Sequence, residues 1–144
     1  MLGDGMSTVL AGPREAFERF RDMALSGGSA GLESMLADDC VVETPFAPPG
    51  SALRFEGREA FATTVAERQR AFFARIRFND VREVAVHETT DPTTAIVEYE
   101  MEAERMSDGF RASAAFVVVI GVRDGRVTLW REYQNPIAMA QVAG

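Results

Sequence analysis

The chain has 144 residues, enough for one domain with a core of its own and no need of covalent staples. Twenty-two acidic residues against fifteen basic give a net charge of −7, which repels nucleic-acid phosphates and anionic lipid and excludes both as expected partners. Cys40 is the single cysteine, so no internal disulfide can form, and a reducing, cytoplasmic setting is expected in the absence of a secretion signal or an apolar run of ~20 residues.

Residues 1–10 contain Gly3 and Gly5 and little pattern; they read as a flexible arm preceding a single domain over 11–144. Gly12-Pro13 opens the first helix, with proline where its missing N–H costs nothing. Phe17, Phe20, Met23 and Ala24 fall on one face of it, and Gly27-Gly28 stops it. Ser29 can cap a short second helix carrying Leu32, Met35 and Leu36. Cys40–Thr44 reads as a short strand ended by Pro45, and Phe46–Glu56 as a loop. Gly57–Ile76 is the longest helix. Its stripe of Phe61, Val65 and Phe72, with Phe17 of the first helix, is expected to be core rather than ligand site.

Phe78–Glu88 begins the β half, and Thr90-Asp91-Pro92 turns it. In Ala95–Arg105 the residues Val97, Tyr99, Met101 and Ala103 share one face and Glu98, Glu100, Glu102 and Glu104 the other. Four carboxylates cannot be buried together, so the tyrosine face points inward. Ala114–Val122 is apolar on both faces, the mark of a central strand covered twice. Helices can cover one face, and a second copy of the chain is the expected cover of the other. Asp124-Gly125 gives a tight hairpin turn into Leu129–Gln134. The expected fold is α+β: a cone-shaped, curved antiparallel sheet of four long strands and one short one, wrapped on helices that all lie before residue 80.

One histidine and one cysteine cannot make an ordinary His/Cys metal site, and there is no phosphate loop or nucleophile elbow. His87 lacks a serine or cysteine partner in its pattern and reads as a half-buried strand residue; Cys40 reads as a small buried hydrophobe. Trp130, Glu132 and Gln134 share one face of the last strand, Arg131 and Tyr133 the other. Parity allows two registers, and packing of the Trp130 indole favours the one with Glu132 inside. A carboxylate desolvated beside an indole can act as general acid or base near neutral pH.

From about Pro13 to Ala143 the chain resembles the SnoaL-like, nuclear transport factor 2-like superfamily. Ala37–Pro45 resembles the stretch that leads into the catalytic aspartate of ketosteroid isomerases, and Gly125–Tyr133 the closing strand of limonene-epoxide hydrolases. The isomerase base would fall on Thr44 and its oxyanion tyrosine on Phe20, and no acid lies between Arg111 and Arg123 to serve as the second donor. The hydrolase's closing-strand aspartate would fall on Glu132, with its tryptophan neighbour kept as Trp130. Its water-holding tyrosine and asparagine would fall on Val42 and Thr44, and its arginine and second aspartate on Tyr99 and Met101. The superfamily's frequent late aspartate falls on Asn135.

The resemblance therefore implies a pocket lined by Phe20, Val42, Thr44, Phe46, Tyr99, Met101, Trp130 and Glu132, suited to a small hydrophobic molecule and needing no metal or organic cofactor. Two functions fit it. One is an isomerase, cyclase or hydrolase in which Glu132 moves a proton while Tyr99 and Thr44 donate hydrogen bonds. The other is a binding or scaffold module without catalysis.

Overall fold

Where the sequence calls for helix, Pro13–Ser26 forms α1 in a computed structural model that describes residues 9–27 and 31–143. Proline at its first turn, the Glu15 carboxylate accepting the Ala11 N–H at 2.7 Å, and Gly27 in the left-handed region at φ 79° fix its two ends. Phe17 and Ala16 are wholly buried, and Phe20 and Met23 pack against the same core. The remaining elements are α2 (Gly31–Met35), β1 (Leu36–Glu43), β2 (Arg54–Glu56), α3 (Arg58–Arg75), β3 (Ile76–Glu88), β4 (Thr94–Arg105), β5 (Arg111–Arg123), β6 (Arg126–Tyr133) and α4 (Pro136–Ala143). The cap expected at Ser29 and the first eight residues of the expected arm lie outside the described residues. The arm's last residue, Leu10, is buried, and its N–H donates to the Gly125 carbonyl at 3.0 Å.

The strands form one curved, unclosed sheet in the order β2-β1-β6-β5-β4-β3. From β3 to β6 it is an antiparallel meander. Register shifts at Phe78/Asp80, Glu83/Ala85 and Gly121/Val122 insert bulges, which bend and twist strands and so help curl the sheet. The β5–β6 turn has both central residues at positive φ, Asp124 at 55° and Gly125 at 77°, as a two-residue hairpin with right-handed twist requires. Along β4, Val97, Tyr99, Met101 and Ala103 are buried. The four intervening glutamates lie half-buried on the outer face, where Arg77, Asn79, Arg82, His87 and Arg111 meet three of them.

Three details depart from the sequence reading. The sheet is not wholly antiparallel: β1 runs parallel to β6, with Val42 opposite Trp130. Alternation reports which face a residue takes but not the direction of its neighbour, so the pattern could not distinguish the two. The 46–56 loop contains a short strand, β2, paired with β1 through Val42–Phe55. A helix also follows residue 80. Asn135 accepts the Ile137 and Ala138 N–H groups on its side-chain oxygen, both at 3.1 Å, and Pro136 fills the first helical position of α4. No helix among the described residues is long and apolar enough to cross a membrane.

Candidate active site

The inner face of the sheet, α3 and α4 enclose a cavity of about 400 Å³. That is within the usual range for small-molecule sites, roughly 300–1,000 Å³. Strand parity builds its floor. Trp130 and Glu132 of β6 point inward beside Val42 of β1 and Met101 of β4. Arg131, between them, points the other way and binds Glu43 at 2.8 Å; Glu43 also takes Arg54 at 2.9 Å. The Arg131 guanidinium, and with it Arg54, holds the Glu43 carboxyl below its ordinary value against the opposing effect of burial. The register with Glu132 inside is thus locked from the outer face by an ion-pair chain between adjacent strands.

Among the described residues, Glu132 is the only carboxylate that lines the cavity. Its Oε1 accepts the Tyr99 hydroxyl at 2.7 Å and, at a long 3.4 Å, the Trp130 indole N–H. Its Oε2 accepts the Gln134 amide at 2.7 Å. A carboxylate offers about four lone-pair positions, two on each oxygen. Oε1 is fully engaged, whereas Oε2 keeps one position for another donor.

Tyr99 is 1% exposed and packed among rings: Phe17 at 5.1 Å, Phe20 at 5.8 Å and Phe116 stacked at 5.2 Å. Burial first, then the Glu132 charge and the hydrogen bond to it, push its phenol well above the ordinary tyrosine value. It therefore remains a donor, with its proton committed to Glu132.

Of the residues expected to form the site, Phe20, Val42, Thr44, Met101, Trp130 and Glu132 line the cavity. Tyr99 does not line it; it stands behind Glu132, because the aromatic cluster fills the space in front of its ring. Phe46 is also placed elsewhere. A tight turn in which the Ala47 N–H donates to the Thr44 carbonyl swings it outward. There it is 58% exposed, meets Tyr133 at 5.4 Å and borders a shallow groove of about 300 Å³.

The expected core stripe holds: Phe17 and Phe61 are buried in the core, and Val65 and Phe72 pack against it. Phe61, Val65 and Phe72 line the cavity as well. Apolar periodicity shows that a helix face is covered and cannot say whether protein or an open space covers it. Gln134, Arg68, Gln69 and the α4 residues Met139 and Val142 also belong to the wall. Gln134 shares parity with Trp130 and Glu132, so the sequence carried its signal; α4 was hidden with its helix.

The remaining candidates lie apart. His87 pairs with Glu98 at 2.6 Å on the exposed outer sheet face. Cys40 is fully buried, and burial, with help from Asp39, pushes its thiol up. Among the described residues no three of histidine, cysteine, aspartate and glutamate come together to hold a metal ion.

Comparison with known proteins gives consistent relatives. A family model described as a SnoaL-like domain matches residues 17–130. An uncharacterised PhzA/B-like protein of Pseudomonas aeruginosa is 32% identical over 121 residues, 83% of this chain and 81% of that protein. A solved Bacillus subtilis structure superposes with a TM-score of 0.80 at 22% identity, covering 99% of this chain and 96% of the other. A Mycobacterium Δ5-3-ketosteroid isomerase superposes with a TM-score of 0.63 at 25% identity, covering 88% and 95%.

Proposed function

We propose, from the premise that this chain belongs to the SnoaL-like domain family, that its cavity receives a small hydrophobic molecule on which Glu132 acts as a cofactor-independent general acid or base. The single observation that carries this reading is the isolation of Glu132, the one carboxylate among the described residues of a mostly apolar wall, oriented by Tyr99 and Gln134. Oε2, which accepts one hydrogen bond where Oε1 accepts two, is the working atom. It would take a proton from a weakly acidic C–H or from a water and return it elsewhere on the same molecule. Isomerisation, cyclisation and hydration all reduce to that pair of transfers. Tyr99 positions the carboxylate and does not touch the substrate. Thr44 offers a hydroxyl to a substrate oxygen. The ketosteroid isomerase that shares the fold at 25% identity lends support to proton-transfer chemistry as a class.

A second reading, a binding module without turnover, is favoured by the absence of any second acid in the cavity wall. The two separate on one experiment. Wild type and Glu132→Gln are assayed against epoxides, enones and polyketide-like lactones, and ligand binding is followed by the emission of Trp130, the only tryptophan of the chain. General acid–base groups contribute ~10²–10⁴-fold, so the variant should bind and not turn over. Binding without turnover in the wild type selects the second reading, and normal turnover in Glu132→Gln removes this residue from the mechanism.

We place the protein in the cytoplasm as a homodimer through the outer sheet face. Val84, Phe46, Val117 and Tyr133 there border the shallow groove, and the flanking Glu98 and Glu100 are already paired by His87 and Arg82. A stable interface of that kind buries on the order of 1,200 Å² or more. Sedimentation showing a monomer at micromolar concentration would remove the dimer.

A further inference from the structure

The wall contributed by α3 follows the helical period: Phe61, Val65, Arg68, Gln69 and Phe72 all face the cavity. With Phe73, six residues of α3 line the cavity and four of them are apolar, so the pair Arg68 and Gln69 interrupts an otherwise greasy stripe. Arg68 is solvent-exposed and yet lines the cavity, which places it at the opening; Gln69 beside it is half-buried. Neither forms an ion pair or side-chain hydrogen bond with a described residue, whereas Arg54, Arg58, Arg77, Arg82, Arg105, Arg111 and Arg131 each hold a carboxylate. The only carboxylate in the cavity wall is already engaged by Tyr99, Trp130 and Gln134. A cation and an amide donor, neither of them holding a partner, thus line a largely apolar space.

Resting on the reading of the cavity as a ligand site, we infer that the molecule it takes is an amphipathic acid. A ring or hydrocarbon body lies against Trp130 and the phenylalanines, and a carboxylate or comparable anionic oxygen ends at Arg68, with Gln69 donating beside it. Guanidinium and carboxylate match as a planar two-bond pair. The chain's net charge of −7 opposes the entry of any anion, so admission of an acid needs a local cation at the mouth. Arg68 supplies it, and orients the acid with its apolar end toward Glu132.

The test uses two probes of equal shape and different charge, 4-cyclohexylbutanoate and 4-cyclohexylbutan-1-ol, neither of which absorbs where tryptophan does. Binding to the full chain is followed by Trp130 emission. The acid should bind about tenfold more tightly than the alcohol at low salt, as a partly solvated charge-assisted pair allows. The difference should shrink as salt is raised. Arg68→Leu should abolish the preference by weakening the acid, and Arg68→Lys should keep part of it. Equal affinities in the wild type, or a preference that survives Arg68→Leu, overturn the anionic end and leave the cavity reading intact. Failure of both probes to bind overturns the cavity reading, and this inference with it.

Discussion

Replacing Tyr99 with phenylalanine removes one oxygen and leaves every ring contact in place. The stacked pair with Phe116 and the contact with Phe17, at 5.2 and 5.1 Å, do not involve the hydroxyl. What is lost is a 2.7 Å hydrogen bond to the Glu132 carboxylate, leaving Oε1 only the long 3.4 Å contact from Trp130. Hydrogen bonds to charged groups contribute about 1.5–3 kcal/mol when buried, so Tyr99→Phe should cost about 2 kcal/mol. Unfolding entropies of ~2.1 cal/mol/K per residue give about 0.3 kcal/mol/K for a chain of this length, and hence a fall in Tm of about 7 °C. The loss must belong to the pair. A double-mutant cycle with Glu132→Gln should return a coupling of at least 1 kcal/mol, as contacting residues in one network do.

The same bond sets an alkaline limit. The folded phenol lies well above the ordinary value of 10.0, so its contribution is complete below pH 10 and is lost as pH rises from there toward the folded value. Tyr99 should resist ionisation, read by absorbance, until the protein unfolds, and Tyr99→Phe should be less destabilised by alkali than wild type. A coupling below about 0.5 kcal/mol, or the same loss of stability in alkali for wild type and Tyr99→Phe, would refute the buried Tyr99–Glu132 pair.

Two further outcomes follow from turns. Gly125→Ala should lose about 1–2 kcal/mol, read by thermal melts: φ is 77°, where a side chain is strained, and an added Cβ would meet Val9 Cγ1 at 3.1 Å. In the β4–β5 turn, Arg105 holds the Asp108 carboxyl at about 2, below its ordinary 3.8. The stability this gives is present above pH 3.8 and lost as pH falls toward 2, so Asp108→Asn should flatten the Tm profile across that window; an unchanged slope would contradict it.

The fold was legible wherever a period or a turn residue decided the matter. Alternation in β4 set the inner face, Asp124-Gly125 set the hairpin, and Trp130 set the register of Glu132. Each is a local signal with one physical solution. The parallel β1–β6 pair and the short β2 strand depend on what lies beside a strand, which the strand's own residues do not encode. The helix after Asn135 carries a capping asparagine and a first-turn proline, a local signal that the expectation of helices only before residue 80 leaves out. In the site, polar residues on known faces were found and their depth was not. Tyr99 has the right parity for the cavity and is held out of it by Phe17, Phe20 and Phe116. Phe46 follows a proline whose turn direction is set by backbone hydrogen bonds. Phe61 and Phe72 look like any core stripe, since an enclosed cavity and a packed core ask the same composition of a helix.

The partnership of β1 with β6 has a consequence for the order in which the molecule can be made. Glu43 and Arg131, which join the two strands, are 88 residues apart along the chain. The meander from β3 to β6 can pair neighbour by neighbour, through short loop closures, before β1 has any place to go. Contacts between distant segments form late and slowly, because the loop must close before the contact rewards it. On a ribosome, β1 and α3 emerge early, and the apolar side chains of β1 must wait uncovered until the closing strand arrives. The cavity floor, where Val42 lies beside Trp130, is therefore the last part of the protein to exist.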